Sequence, residues 1–597
     1  MAIAFFCGSI IEVVLKMGQI WLHSLGTGEQ FFLGGCMEVV IGLIVLMILL
    51  SIKGIFDKKN RKKRLIASLI QHWGMPPMQE YTQEKFLSLQ YYYKHRYQKD
   101  TKERFFVDDI TWNDLSLDDL FFLLNATNSS MGEEYLWAML HELQFSKEAL
   151  EEREALITFF QKNEKDRLKL QTAFAMIRKN KRISVYEYMD RIETIKRESN
   201  VKHFMALGGM LISVFLLFII PSFGGFLLLG CIAYNIISYY KRKGEIAPYF
   251  SAISYLIRML DYGEAISKET PSKLFAPYYE ILQKNTSHLE KFRKGAPAVA
   301  VENPTGDMMS FFLDYIRILF HTDLIRFNLM LMEFFEKKEQ MIEVFETVGF
   351  LDAMCAIASF RTMLPFYCIP EFSKQKQYHA KEIYHPFLEE PVPANMITTK
   401  SILITGSNAS GKSTFIKSAA MNAILAQTIH TVCAKEYHSS FFKVMTSMAL
   451  SDNLLEKESY YIAEIKSLQR ILKETEGTIP VLGFVDEVLR GTNTVERIAA
   501  SSQILATLAN FNALMFAATH DIELTFMLET LFENYHFEEQ ICEKEILFDY
   551  QLKIGRATTQ NAIALLRLLG YPEEIITKAK ETASIFLSEG EWRKIKQ

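Results

Sequence analysis

The sequence predicts a C-terminal α/β domain built on a parallel sheet. Before it comes a mostly α-helical core into which membrane-spanning helices are inserted. Three observations predict this. The run from Phe204 to Tyr240 holds no Asp, Glu, Lys or Arg, which is long enough for an apolar hairpin to cross a bilayer. Residues 65–200 and 245–350 carry long 3.6-period stretches with few breakers. From about 395, short β-branched runs alternate with amphipathic helices, the signature of parallel α/β architecture.

Composition narrows the class further. A chain that is 49% hydrophobic and 23% charged, with only 15 Pro and 28 Gly, is neither disordered nor collagen-like. Its formal charge of -4 excludes a bulk polycation, so any nucleic-acid contact must come from a local patch. The 7 cysteines are scattered, with no C-x-x-C pair and no His cluster at ligand spacing. That pattern predicts a reducing compartment rather than a disulfide framework or structural zinc.

In chain order, residues 1–64 form an N-terminal membrane segment. Ser9, Glu12, Lys16, Gln19 and His23 share one helical stripe, so residues 1–25 fit an interfacial amphipathic helix better than a further span. There is no basic n-region or small-residue cleavage site, so a removed signal peptide is not expected. Phe31 to Ile52 is interrupted only by Glu38 and predicts a span; Lys58, Lys59, Arg61, Lys62, Lys63 and Arg64 follow it. Residues 65–200 are the first part of the helical core. Residues 201–243 hold the hairpin, broken at Pro221–Gly225 and leaving through Lys241, Arg242 and Lys243. Both basic flanks belong on the cytoplasmic side, which puts the remaining domains in the cytoplasm. Residues 244–394 continue the helical core, with a loop-like stretch at Gly295–Asp307.

Residues 395–597 carry the chemistry. Ser401–Ile404, Pro480–Val485 and Ala513–Ala518 read as strands. The first leads into Gly406-Ser407-Asn408-Ala409-Ser410-Gly411-Lys412-Ser413-Thr414, which fits the phosphate-binding G-x-x-x-x-G-K-[ST] loop. In such a loop backbone N–H groups and the following helix N-terminus face phosphate. Lys412 reaches the β- and γ-phosphates, and Ser413 is placed for Mg²⁺. The second strand ends in Asp486-Glu487. Asp486 is suited to hold the metal, and Glu487 to orient or deprotonate an attacking water. The third ends in Thr519-His520, which places an imidazole near the γ-phosphate.

At these residues the sequence resembles the MutS family of DNA mismatch-repair ATPases, relatives of the ABC-type ATPases. TGSNASGKST resembles the family's P-loop, with Ala409-Ser410 in place of its usual Met-Gly. VDEVLRGTNTVERIAAS resembles its signature through Asp486, Glu487, Arg490, Gly491 and Thr492, and ATHDIELT resembles the strand around His520. The likeness covers roughly 104–200 and 345–597. It includes DDITWNDLSLDDLFFLLNATNSSMGEEYL, LDAMCAIASF, YHPF and the C-terminal GRATTQNAIALLRLLGYPEEIITKAK. The resemblance implies an ABC-type P-loop ATPase domain that uses ATP and Mg²⁺. It also implies a homodimer with composite sites, in which Ser459 of SDNLLEKESYYIAEI reaches the neighbouring subunit's nucleotide. Double-stranded DNA is the partner it implies.

The departures set the alternatives. Residues 1–103 contain no Phe-x-Glu, the family's mismatch wedge, and Val392 stands where an aromatic often faces adenine. Lys284, Lys291, Arg293 and Lys294 make only a thin basic cluster. The sequence therefore supports two readings: a membrane-anchored, DNA-binding ATPase switch, or a switch on a membrane or protein partner without mismatch recognition. A transporter-like ATPase fits least, because there is no LSGGQ-type signature and there are few spans.

Overall fold

The computed structural model describes residues 53, 56–57, 59–78, 81–99, 104–180, 183–269, 272–295, 315–407, 410–448, 460–489, 492–541, 546–557, 563, 566, 570–592 and 594. The chain divides into two units, 1–71 and 72–597. In the first, residues 59–71 are helical and carry Lys59, Arg61, Lys62, Lys63 and Arg64. The expected helix at 1–25, the span at 31–52 and the loop core at 296–307 lie outside the described residues.

The second unit begins as a helical core around Lys338–Met363, a helix buried along most of its length. Ser130–His141, Lys147–Lys162 and Ala276–His288 pack on it. Its Asp352 is fully buried and accepts from Ser129 N (2.8 Å), Ser129 Oγ (2.7 Å) and Asn128 N (3.0 Å). Those bonds tie the N-terminus of Ser130–His141 to the central helix, satisfying donors that burial would otherwise orphan.

The apolar hairpin is present as Val201–Ile219 and Pro221–Ser267. Both helices are long and apolar enough to cross a membrane, and only 11% and 17% of their most apolar windows is buried. The break is tighter than the expected Pro221–Gly225 interruption. Ile220 alone leaves helical geometry, and Pro221 occupies the first turn of the next helix, where a missing N–H does no harm. Gly224 lies against the preceding helix, where a Cβ would sit 2.4 Å from Leu217 N. The second helix does not stop at Lys241–Lys243. It runs unbroken for 47 residues, about 70 Å at 1.5 Å per residue, so a single rod joins the apolar hairpin to the core.

The α/β part holds two sheets. A four-stranded sheet orders Glu371–Ser373, Glu436–Ser440, Tyr378–Ile383 and Ala394–Thr398. Its last two strands pair across residues 394 and 395, so β-structure starts earlier than the change of pattern near 395 suggests. The six-stranded sheet contains β1 (Ser401–Thr405), β2 (Lys443–Ser447), β3 (Val481–Asp486), β4 (Ala513–Ala518), β5 (Phe532–His536) and β6 (Lys553–Ile554), in the order β6-β5-β1-β4-β3-β2. All neighbours are parallel except β5 and β6. The three expected strands, β1, β3 and β4, are its adjacent centre, with β1 and β3 shifted or extended by one residue. Their side chains alternate between two cores: Ile402, Ile404, Leu482 and Phe484 face the helical core, whereas Leu403, Val481 and Val485 face the other side. Burial on both faces explains the near-continuous apolar runs.

The helical core and the sheet share a buried junction. Arg361, at the end of the central helix, donates to Glu154 Oε1 (2.8 Å) and Oε2 (2.6 Å), Thr431 Oγ1 (2.8 Å) and His430 O (2.8 Å). Thr431 and His430 follow the helix Lys412–Thr428 that the phosphate loop opens. Asp114 of the core also accepts from Thr446 Oγ1 (2.6 Å) on β2.

Candidate nucleotide site

The site forms at the C-terminal ends of β1, β3 and β4, where parallel α/β sheets place ligands. β1 delivers the loop, and Gly406 (φ +141°) and Gly411 (φ +106°) bend it into left-handed backbone that side chains disfavour. A Cβ on Gly406 would stand 2.8 Å from Phe537 O, and one on Gly411 would stand 3.2 Å from the Tyr550 ring. Among the described residues no side chain caps the helix Lys412–Thr428, which leaves its first-turn N–H groups open to an anion. Lys412 is buried, and its ammonium donates to the carbonyls of Gly406 and Ser407 (2.7 Å to the latter). The loop thus holds the ammonium against its own backbone. Thr414 lies one helical step further and lines the adjacent cleft.

β1 and β3 are separated in the sheet by β4, yet their ends bring Ser413 and Asp486 together. Ser413 Oγ donates to Asp486 Oδ2 at 2.6 Å. The other carboxylate oxygen, Asp486 Oδ1, is buried without a hydrogen-bond partner among the described residues. A hydroxyl and an unsatisfied carboxylate oxygen are hard oxygen donors of the kind Mg²⁺ takes alongside substrate phosphates, so these residues fit the ion.

The next residue, Glu487, turns sharply at φ +59°, and Leu489 follows at φ +60°. Such non-glycine left-handed geometry is held at a cost of about 1–3 kcal/mol and clusters at functional sites. Neighbouring bonds hold it here: Glu487 N donates to Ala518 O (3.0 Å), and Leu489 N donates to Glu464 Oε1. The turn aims the Glu487 carboxylate at β4, where His520 Nε2 lies 2.7 Å from its Oε1. Asp486, Glu487, Lys412, Ser413 and His520 are therefore drawn to one end of the sheet. Asn408, Ser459, Arg490 and Gly491 lie outside the described residues, while Thr492 Oγ1 reaches Glu496 at 3.4 Å.

Beside the loop opens a cleft of about 330 Å³ lined by Tyr384, His385, Val392, Phe415, Phe537 and Tyr550, among others. Val392 does line it, and Phe537 and Tyr550 supply aromatic faces that the motif reading missed. Burial, helped by Lys417, pushes His385 down to about 4, so it is neutral at pH 7. Its Nδ1 accepts from Phe387 N (3.3 Å), which leaves the proton on Nε2 as a donor. No local signal marks Phe537 or Tyr550. They come from beyond β5 and reach the loop only because β5 lies beside β1.

Two of the four residues of the thin basic cluster are engaged in ion pairs. Arg293 pairs with Asp261 (3.6 Å) and Glu264, and Lys294 pairs with Glu290 (2.8 Å).

Fold and site together define an α/β domain with a P-loop and an acidic strand end. Residues 402–586 match the family model described as MutS domain V. Over 248 residues the chain is 30% identical to the DNA mismatch repair protein MutS of Thermus aquaticus, covering 40% of this chain and 30% of that protein. It is 29% identical over 262 residues to the DNA mismatch repair protein MutS of Clostridium botulinum strain Loch Maree, covering 41% of this chain and 28% of that protein. The chain thus spans less than a third of the length of these curated relatives.

Proposed function

We propose that the chain is a membrane-anchored, Mg²⁺-dependent ATPase of the MutS type whose nucleotide state moves the helical core. The observation that carries this reading is the pairing of Ser413 with Asp486 and of Glu487 with His520 around one P-loop. The loop N–H groups and Lys412 bind and orient the β- and γ-phosphates. Ser413 and Asp486 would hold Mg²⁺, which would supply charge neutralisation to the nucleotide phosphates. Glu487 takes the proton of the attacking water, and His520 keeps that carboxylate in place. The aromatic cleft beside Gly411 receives the base. The working form is a homodimer in which Ser459 completes the neighbour's site. The test is Mg²⁺-dependent phosphate release from ATP by the purified protein beside its Glu487→Gln variant; equal release by the two would overturn it.

Anchoring rests on the exposed hairpin. Phe215, Phe218, Phe226, Leu229 and Ile237 are each more than 60% exposed. A soluble surface rarely carries so large a contiguous apolar patch, whereas a bilayer core buries it. The hairpin and the 31–52 segment are the proposed spans, with core and ATPase domains in the cytoplasm. The full-length protein should stay with the membrane pellet through alkaline carbonate and be released by detergent. Release by carbonate alone would remove the anchor from the reading.

Double-stranded DNA is the proposed partner, by likeness to proteins named for DNA mismatch repair. A DNA-independent switch on a membrane or protein partner is the second reading. It is favoured by the unbroken rod Pro221–Ser267, which carries core motion directly into the hairpin. Mismatch discrimination needs a group that enters the helix and exploits the weakened step. Residues 1–103 hold no Phe-x-Glu, so the affinity of this chain is expected to come from phosphate contacts that are indifferent to sequence. Competition between homoduplex and a single G·T mispair at fixed salt should therefore show less than about tenfold preference. A larger preference would mean that another part of the chain reads the lesion.

A further inference from the structure

Two loops flank the proposed hydrolytic centre, and one ion pair ties them together. The turn after β3 carries Glu487 and leads into the helix Thr494–Asn510, capped by Asn493 through Val495 N (3.0 Å). The loop after β4 carries His520 and leads into the helix Ile522–Met527. Arg497, in the first turn of the former helix, donates from Nη2 to Asp521 Oδ1 at 2.6 Å and from Nε to Oδ2 at 3.0 Å. This is the two-pronged guanidinium–carboxylate geometry that fixes orientation as well as distance.

Asp521 occupies the N-cap position of its helix, where an Asp ordinarily accepts from its own first-turn N–H groups. Here it makes no such bond; its carboxylate is turned to Arg497 instead. Its backbone N–H donates to Thr519 Oγ1 (3.0 Å), so the residues on both sides of His520 are held. The pair is half-sheltered, with side-chain exposures of 25% for Arg497 and 12% for Asp521. Hydrogen bonding to Asp521 raises the Arg497 pKa, and the charges of Glu487 and Glu523 add to it.

We propose that the Arg497–Asp521 pair is a positioning clamp. It holds the His520 loop against the turn after β3 so that His520 remains on Glu487 in the geometry that hydrolysis needs. Neither residue touches the reacting atoms; both act through His520 and Glu487. The inference rests on the ATPase reading above.

The test uses the full-length protein in detergent and measures kcat and KM for MgATP together with ATP affinity. Arg497→Gln and Asp521→Asn should each lower kcat about tenfold, the scale of a small misplacement at a reacting centre, with KM and ATP affinity within about twofold. The exchanged pair, Arg497→Asp with Asp521→Arg, should recover most of the loss. Arg497→Lys, which keeps charge but loses the fork, should fall between. Unchanged kcat in the single variants would overturn the clamp. So would parallel losses of kcat, ATP affinity and thermal stability that the exchanged pair does not repair. An inactive wild-type chain would sink the ATPase reading and the clamp with it. An active wild type with an inert Glu487→Gln variant and a fully active Arg497→Gln variant would sink the clamp alone.

Discussion

Glu487→Gln should bind ATP as tightly as the wild type and hydrolyse it about 10²–10⁴-fold more slowly, the range that a positioned general base contributes. The amide keeps the size of the carboxylate and its ability to accept from His520 Nε2, now 2.7 Å away, but it cannot take a proton from water. The loop, Lys412 and the Ser413–Asp486 pair are untouched, so ground-state binding survives. Lys412→Ala should do the opposite. It removes the buried ammonium held by the loop carbonyls, the group proposed to meet the phosphates, and ATP affinity should fall before any chemical step is reached. Equilibrium binding of a fluorescent ATP analogue, set beside single-turnover hydrolysis, separates the two effects. A Glu487→Gln variant that turns over at the wild-type rate would show that the base is another group.

Arg361→Ala should lower the stability of the protein by about 3–5 kcal/mol, the usual penalty for removing one partner of a buried charge pair. The Arg361 side chain is fully buried, and its loss would leave the Glu154 carboxylate, among the described residues, with only Thr158 Oγ1 and His430, and take the donors from Thr431 Oγ1 and the His430 carbonyl. Burial pushes Glu154 up, but hydrogen bonds from Arg361 and His430 outweigh it and bring its pKa from 4.5 to about 2. A carboxylate depressed on folding stabilises above its unfolded pKa, so this contribution is present above about pH 4.5 and fades as pH falls towards 2. The apparent melting temperature in detergent should drop by about 3–5 °C at pH 7 in the variant, because a unit of this size unfolds with a large entropy. The gap should narrow as the pH falls from about 4.5, where Glu154 protonates in the unfolded chain, towards about 2, where it protonates in the folded one. A variant that melts with the wild type at pH 7 would mean that the junction relaxes around the loss. Because Arg361 joins the central helix to the end of the phosphate-loop helix, its loss should also weaken any coupling between nucleotide and core.

Much of this site was legible in the sequence because its constraints are local. Gly406, Gly411, Lys412 and Ser413 follow from the tight turn that one short segment makes between β1 and its helix. Asp486-Glu487 and His520 stand out because each ends a run buried on both faces. The helical hairpin was legible because an uncharged apolar run broken once near Pro221 reads as two helices, and the structure holds both. The four-stranded sheet was not legible: Glu436–Ser440 and Glu371–Ser373 are short and partly exposed, and their polar residues hide the two-residue period. The continuity of Pro221–Ser267 was also hidden, because the basic residues after Tyr240 mark the end of an apolar run without ending a helix.

Local sequence carries the P-loop pattern, the acidic pair after a buried strand and the uncharged run from Phe204 to Tyr240. Which of these residues meet is set by strand order and packing. The order β5-β1-β4-β3 brings Asp486 to Ser413, sets His520 beside Glu487 and lays Phe537 and Tyr550 against Gly411. It also lets Arg497 grip Asp521 from a different helix. Backbone periodicity and turn chemistry act over a few residues and leave their mark in sequence. Contacts between distant side chains arise from strand order and packing, which no short stretch of the chain encodes alone.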